Sequence, residues 1–239
     1  MTAIRSFFAW TYSALGSLIG FLLCLLRPFN PDNNRLNARL LSWGGRIILG
    51  IKVQVEGREH LSEDMPRIII ANHQHNEDLF VLGGVIPRRT VAVGKSSLRW
   101  LPLFGQMFWL GGNVLINRRR GSAAAAAIDA TARAMNRDRK SVWIFPEGTR
   151  NRGQGLLPFK KGAFHAAIAA GAPITMVCVS EYQGARGHGG RAAPVRIRVL
   201  PPVETRGMTA QDVPTLMAAC QERMRAVIDN ISHQLPASA

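Results

Sequence analysis

Ile68-Ile69-Ile70-Ala71-Asn72-His73-Gln74-His75-Asn76-Glu77-Asp78-Leu79-Phe80 is the stretch on which the reading of this chain turns. Three β-branched residues in a row are too short a run for a helix and suit a strand buried on both faces. Polar residues follow at once, and Asp78 then opens a new apolar segment in the manner of a helix start. A buried strand that turns directly into a helix is the repeating unit of an α/β layer, and ligands of such layers gather where strands end. His73 and Asp78 are five positions apart, which on one regular helix places them about 140° apart around the axis. They meet only if His73 lies in the turn and Asp78 in the first helical turn. There Asp78 can accept a ring N–H of His73, fix its tautomer and leave the other nitrogen as a base. No serine or cysteine adjoins, so such a base would act on a substrate hydroxyl directly. The pattern also arises by chance, as a helix-capping Asp beside an incidental His. His75 and Glu77 read as structural or solvent-facing neighbours.

Further out, the same alternation repeats. Lys52-Val53-Gln54-Val55, Val91-Ala92-Val93, Val114-Leu115-Ile116, Val142 to Phe145, Ile174 to Val179 and Val195 to Val199 are short β-rich runs. The last alternates with Arg196 and Arg198, as a strand with one wet face does. Helices are predicted from Ser122 to about Arg137, from Lys161 to Ala170 with Gly171 as terminator, and to about Gln234 after the capping sequence Thr209-Ala210-Gln211-Asp212. Gly184 to Ala193 reads as a flexible loop, and no internal repeat is present. Residues 51–239 are thus expected to form an α/β domain whose sheet is covered on both faces.

Two other strand ends carry candidate chemistry. After Val142 to Phe145 come Pro146-Glu147-Gly148-Thr149-Arg150. Gly148 lets backbone approach a ligand, Thr149 offers a hydroxyl and Arg150 a planar fork suited to phosphate. Glu147 could orient Arg150 or accept a bond from a polyol hydroxyl. After Val114 to Ile116 come Asn117-Arg118-Arg119-Arg120, of which Arg119 and Arg120 read as a solvated turn.

The N-terminus is of a different kind. Phe7 to Leu26 carries no charge between Arg5 and Arg27, and as a helix it measures about 30 Å, close to the thickness of a bilayer's hydrocarbon core. Phe7, Phe8, Trp10 and Tyr12 cluster at one end, where amphipathic rings suit headgroup depth. The run ends in Arg27-Pro28 without a small-x-small cleavage site, unlike a secretory signal. Leu36 to Ile51 mixes apolar positions with Arg39 and Arg46, fitting either an anionic leaflet surface or an ordinary surface helix. Pro28 and Pro31-Asp32 break the chain between the segments, so residues 1–50 are read as an antiparallel helical hairpin.

Composition narrows the function classes. The 239 residues hold 30 Lys and Arg against 15 Asp and Glu, a net charge of +15, which draws the chain to anionic partners. With 47% hydrophobic residues the chain has ample material for a core, which excludes disorder throughout. Three scattered cysteines (Cys24, Cys178, Cys220) neither staple a small scaffold nor show metal-ligand spacing.

Together these stretches resemble the bacterial 1-acyl-sn-glycerol-3-phosphate acyltransferases of the glycerolipid acyltransferase family. Asn72 to Asp78 resembles the first motif of that family, NHxxxxD. Gly94-Lys95-Ser96-Ser97-Leu98, then Pro102-Leu103-Phe104-Gly105, match its connecting stretch. Gly112 to Arg118 resembles the second motif, with Asn117 where many members carry Asp. Phe145 to Arg150 is similar to the third, continued by Leu157 to Phe164. Ala172-Pro173-Ile174 matches half of the fourth, and Met176 stands at its usual second proline. The resemblance spans about Gly50 to Val203.

It implies a mixed α/β sheet flanked by helices, of the glycerol-3-phosphate acyltransferase type, with an N-terminal two-helix membrane motif. It implies His73 and Asp78 as the catalytic pair, and Arg118, Glu147, Gly148, Thr149 and Arg150 as the glycerol-phosphate set. Asn72, Lys95 and Lys160 are further candidates. It implies no metal and no bound cofactor, with acyl-coenzyme A or acyl carrier protein as donor, lysophosphatidate as acceptor and a phospholipid surface as partner. The expected place is the cytoplasmic face of the inner membrane, the hairpin resting in one leaflet rather than crossing. Three rivals are weighed, of which a catalytically idle membrane-binding protein is opposed by the intact His73 and Asp78. Another lysolipid acceptor, such as lyso-ornithine lipid, would leave Arg118 and Arg150 without a phosphate. A basic nucleic-acid-binding protein is opposed by having only two tyrosines and no aromatic-basic stripe.

Overall fold

The computed structural model describes residues 2–61, 65–116, 131, 132, 135, 137–182 and 194–233. Seven strands are described: β1 (Val53–Glu56), β2 (Ile68–Ala71), β3 (Thr90–Lys95), β4 (Val114–Ile116), β5 (Ser141–Ile144), β6 (Ile174–Val179) and β7 (Val195–Val199). They form one sheet in the order β1-β7-β6-β2-β5-β3-β4. β7 pairs antiparallel with β6, and every other pair is parallel. The sheet is therefore mixed, as expected. Five strands share one direction, so Val179, Ala71, Ile144, Lys95 and Ile116 all end on the same edge.

Burial follows the period of two. Ile68 and Ile70 face a cluster with Phe164, Met176 and Met224, while Ile69 faces Phe80, Trp143 and Val177 on the other side. The first side is covered by α5 (Gly162–Ala170) and α6 (Val213–His233), which enters through a capping box of Thr209 and Asp212. Gly171 ends α5 in the left-handed conformation. Met176 lies in mid-sheet with no exposed surface, and its carbonyl accepts from Leu200 N at 2.9 Å. The helix predicted from Ser122 falls mostly outside the described residues, where Thr131, Ala132 and Met135 are helical. The predicted loop of Gly184 to Ala193 also lies outside them.

The second side is covered by α3 (Asp78–Leu82) and by the N-terminal pair α1 (Thr2–Leu26) and α2 (Asp32–Leu49), with α4 (Phe104–Leu110) beside them. α2 starts earlier than the apolar pattern suggested. Pro31 already has helical φ of −67°, and the Asp32 carboxylate accepts from Arg89 N at 2.9 Å and pairs with Arg88 at 3.1 Å. The hairpin is close-packed: a Cβ on Gly44 would meet the Tyr12 ring at 2.1 Å, and one on Gly16 would meet Leu41 at 2.7 Å.

The hairpin is also part of the sheet's cover. Ala9 and Leu49 belong to the apolar cluster of Ile69. A Cβ on Gly45 would strike the Phe80 ring at 2.2 Å, and Ser42 Oγ donates to Phe80 O at 2.5 Å. Asn34 donates to Thr90 O at 3.0 Å and to Gly111 O at 2.9 Å. α1 is long and apolar enough to cross a membrane by length and composition, with 33% of that window buried inside the protein. Its outer side is apolar: Phe7 is 67% exposed, Ile19 58% and Leu26 83%.

Candidate active site

β2 delivers His73 into the turn and Asp78 to the first residue of α3, the arrangement the spacing required. His73 Nδ1 lies 2.6 Å from Asp78 Oδ2, and the same oxygen accepts from Gln74 N at 2.7 Å and His75 N at 3.2 Å. Three donors thus converge on one carboxylate oxygen and fix its position. By accepting from Nδ1, Asp78 sets the tautomer of His73 and leaves Nε2 as the nitrogen with a free lone pair. The imidazole lies on the Phe145 ring, centroids 4.0 Å apart and planes at 16°. Its side chain keeps 19% exposure, so Nε2 has a route to a ligand.

The loops after β2 and β5 are stitched together beyond the sheet. Asn151 N donates to His73 O at 2.8 Å, and Arg152 N to Gln74 O at 3.2 Å. Glu147 is buried inside this seam. Its Oε1 accepts from His73 N at 2.6 Å and its Oε2 from Leu157 N at 2.9 Å. Burial pushes its carboxyl up to about 7; the two backbone donors oppose this and the nearby Asp78 charge adds to it. Both oxygens thus brace backbone. This differs from the two roles suggested by sequence, orienting Arg150 or taking a polyol hydroxyl, because the carboxylate points inward. Asn72 is likewise spent inside the protein: its amide donates to Val179 O at 2.9 Å and accepts from Val179 N at 2.8 Å. It clamps β6 and does not reach toward a ligand.

Gly148 has φ of +71°, and a Cβ there would stand 2.9 Å from Lys160 Cε and Nζ. The missing side chain makes room for Lys160, which the sequence reading had assigned to ligand approach. Thr149, Arg150 and Lys160 are exposed on this edge. Lys95, also exposed, ends β3, two strands from β2 and so about 10 Å along the edge. Arg118, Arg119 and Arg120 lie outside the described residues. One group the sequence reading missed is Tyr182, three residues past β6, whose hydroxyl donates to Asp78 Oδ1. A tyrosine just beyond the β-rich run Ile174 to Val179, at the end where His73 sits, was the available signal.

A half-buried His on a buried Asp at the C-terminal edge of a mixed sheet, with an exposed Arg and Lys on that edge, is the equipment of a transferase that activates a hydroxyl. The Acyltransferase family matches residues 52–180 of this chain. A 1-acyl-sn-glycerol-3-phosphate acyltransferase of Haemophilus influenzae is 36% identical over 97% of each chain. One of Escherichia coli is 39% identical over 94% of this chain and 91% of its own. The mouse 1-acyl-sn-glycerol-3-phosphate acyltransferase alpha is 36% identical, covering 90% and 77%. The chain belongs to this acyltransferase family. The fold matches the crystal structure of PlsC, the 1-acyl-sn-glycerophosphate acyltransferase of Thermotoga maritima, with a TM-score of 0.73 and 20% identity over 99% of this chain and 100% of that one.

Proposed function

We propose that the chain transfers a fatty acyl group from a thioester to the sn-2 hydroxyl of 1-acyl-sn-glycerol-3-phosphate, giving phosphatidic acid. The observation that carries this is the His73–Asp78 pair, with Nε2 turned to the strand-end edge and no described protein partner on it. Nε2 takes the hydroxyl proton as the oxygen bonds to the thioester carbonyl carbon. Asp78 stabilises the imidazolium that forms. The tetrahedral adduct then breaks its carbon–sulfur bond, and the imidazolium returns the proton to the departing thiolate. The acceptor phosphate would rest on Arg150 and Arg118, with Lys160 and Lys95 contributing positive charge and Thr149 a hydroxyl donor, while Glu147 and Gly148 shape the loop. The donor is acyl-coenzyme A or acyl carrier protein, both anionic and suited to a +15 chain.

Such a reaction needs a lipid acceptor within reach. The exposed apolar side of α1 supports a hairpin seated in the cytoplasmic leaflet, because these side chains require a non-aqueous partner. Residues 1–50 would then be the anchoring unit and 51–239 the catalytic one. The test is purified protein in detergent with lysophosphatidate and labelled acyl-coenzyme A or acyl carrier protein. Phosphatidate forming only with active protein is the expected result. Absence of product with both donors defeats the reading. Labelling from outside intact cells of a cysteine introduced at position 2 would defeat the leaflet placement alone.

A further inference from the structure

Tyr182 is bound to the His73 turn at three points. Its hydroxyl donates to Asp78 Oδ1, its carbonyl receives His75 Nε2 at 3.0 Å, and its N–H donates to Gln74 Oε1 at 3.4 Å. The rings of His75 and Tyr182 meet edge to face, 5.2 Å apart at 80°. The phenol is 9% exposed. Asp78 therefore has three donors on Oδ2 and its fourth, Tyr182, on the other oxygen.

We propose that Tyr182 is a positioning residue for the reaction, holding the Asp78 carboxylate in place and sharing its charge, and thereby setting the basicity of His73. This rests on the reading of His73 as the base of acyl transfer. The physics lies in how a carboxylate shares its charge. A buried carboxylate oxygen without a donor is more basic, and the whole group then pulls harder on the His73 proton. The imidazolium becomes more stable, and less neutral His73 is present at a given pH. A phenol on Oδ1 draws off part of that charge. Burial, the Asp78 charge and their shared hydrogen bond keep the phenol protonated, so it stays a donor and no proton leaves it. The other titratable groups around the pair are Glu147 from the loop after β5 and, in the turn itself, His75 and Glu77, with Arg150 at the rim. Tyr182→Phe keeps the ring and leaves their contacts in place.

The experiment titrates His73 directly, by nuclear magnetic resonance of imidazole-labelled full-length protein in detergent, alongside the pH profile of kcat/KM. Tyr182→Phe should raise the His73 pKa by about half a unit to one unit and move the acid limb of the profile the same way. Turnover should fall about tenfold, with the KM for lysophosphatidate nearly unchanged. A second probe is 3-fluorotyrosine incorporated in a Tyr12→Phe background, where Tyr182 is the sole tyrosine. The fluorophenol is a stronger donor, so the limb should move to lower pH, and this probe serves even where Tyr182→Phe fails to fold. An unmoved His73 pKa in the folded variants, or a loss confined to KM, overturns the proposal. The titration needs no substrate, so a wild-type protein that makes no phosphatidate would strike the proposed reaction alone.

Discussion

The turn after β2 and the loop after β5 meet at His73, yet they are built on opposite plans. In the first, Asn72, Gln74, His75 and Asp78 are turned inward and matched: Asn72 to Val179, Gln74 to Ser180, His75 to Tyr182, Asp78 to four donors. Beyond Glu147 the second loop turns outward, leaving Thr149 and Arg150 in solvent. A base must be held within tenths of an ångström of one geometry, and a saturated network does that. In the proposed function the second loop meets a mobile headgroup, to which long exposed cations can adjust. On that reading the boundary between fixed chemistry and adaptable recognition falls at Glu147, whose two oxygens brace backbone on the rigid side.

The sharpest way to break this contrast is to remove the base. His73→Ala should lower acyl transfer by about 10²–10⁴-fold while membrane association is unchanged, and Asp78→Asn should follow through loss of the tautomer lock. Near-native turnover of purified His73→Ala would sink the assignment. A second approach undermines the rigid turn from below. Deleting the residues before Asn33 removes Ala9 from the sheet's cover and Trp10 from Phe80, 5.4 Å away. Activity should fall at least about tenfold even on detergent-dispersed lysolipid, because a few kcal/mol of burial are lost beside α3. Full activity in that assay would reduce the hairpin to an anchor.

Arg150→Ala probes the adaptable side. The KM for lysophosphatidate should rise about tenfold with kcat little changed, and Arg150→Lys should recover only part, since an ammonium lacks the bidentate fork. Equal loss on the acyl donor would instead mark Arg150 as structural. The smallest effect concerns Glu147. Its carboxyl is raised from 4.5 to about 7 in the folded protein, so the native state holds the proton more tightly than the unfolded one. Its contribution to stability is full below about 4.5 and is lost as pH rises through about 7. Melting temperature should therefore decline across that window by a few degrees, and Glu147→Gln should flatten the slope. A slope identical in wild type and Glu147→Gln would remove this assignment.

These two loops also differ in how far sequence could reach them. Strand positions were legible because Ile68 to Ile70 is apolar throughout and Ile174 to Val179 is so but for Thr175, and burial of both faces leaves little else possible. The His73–Asp78 pair was legible because a strand-to-helix turn brings neighbours in sequence together. Tyr182 and Glu147 were not, being 104 and 74 positions from the partners they hold. Pattern reading works over one turn, whereas these contacts follow from strand order. For the same reason α2 was read as beginning at Leu36: the Asp32 contacts that anchor its start come from Arg88 and Arg89, across the fold.

The clasp between Gly45 and Phe80 has a consequence for how the molecule is made. Synthesis runs from the N-terminus, so α1 and α2 leave the ribosome before β1. Ala9 and Leu49, which cover Ile69 and Trp143 in the finished fold, are therefore made before the residues they cover. The last strand to be made, β7, lies between β6 and β1, and pairs Val195 with Val53 at the edge of the sheet. Vectorial translation therefore delivers the floor of the active site before its walls, and a nascent chain arrested before β7 would carry the His73 turn on an unfinished sheet.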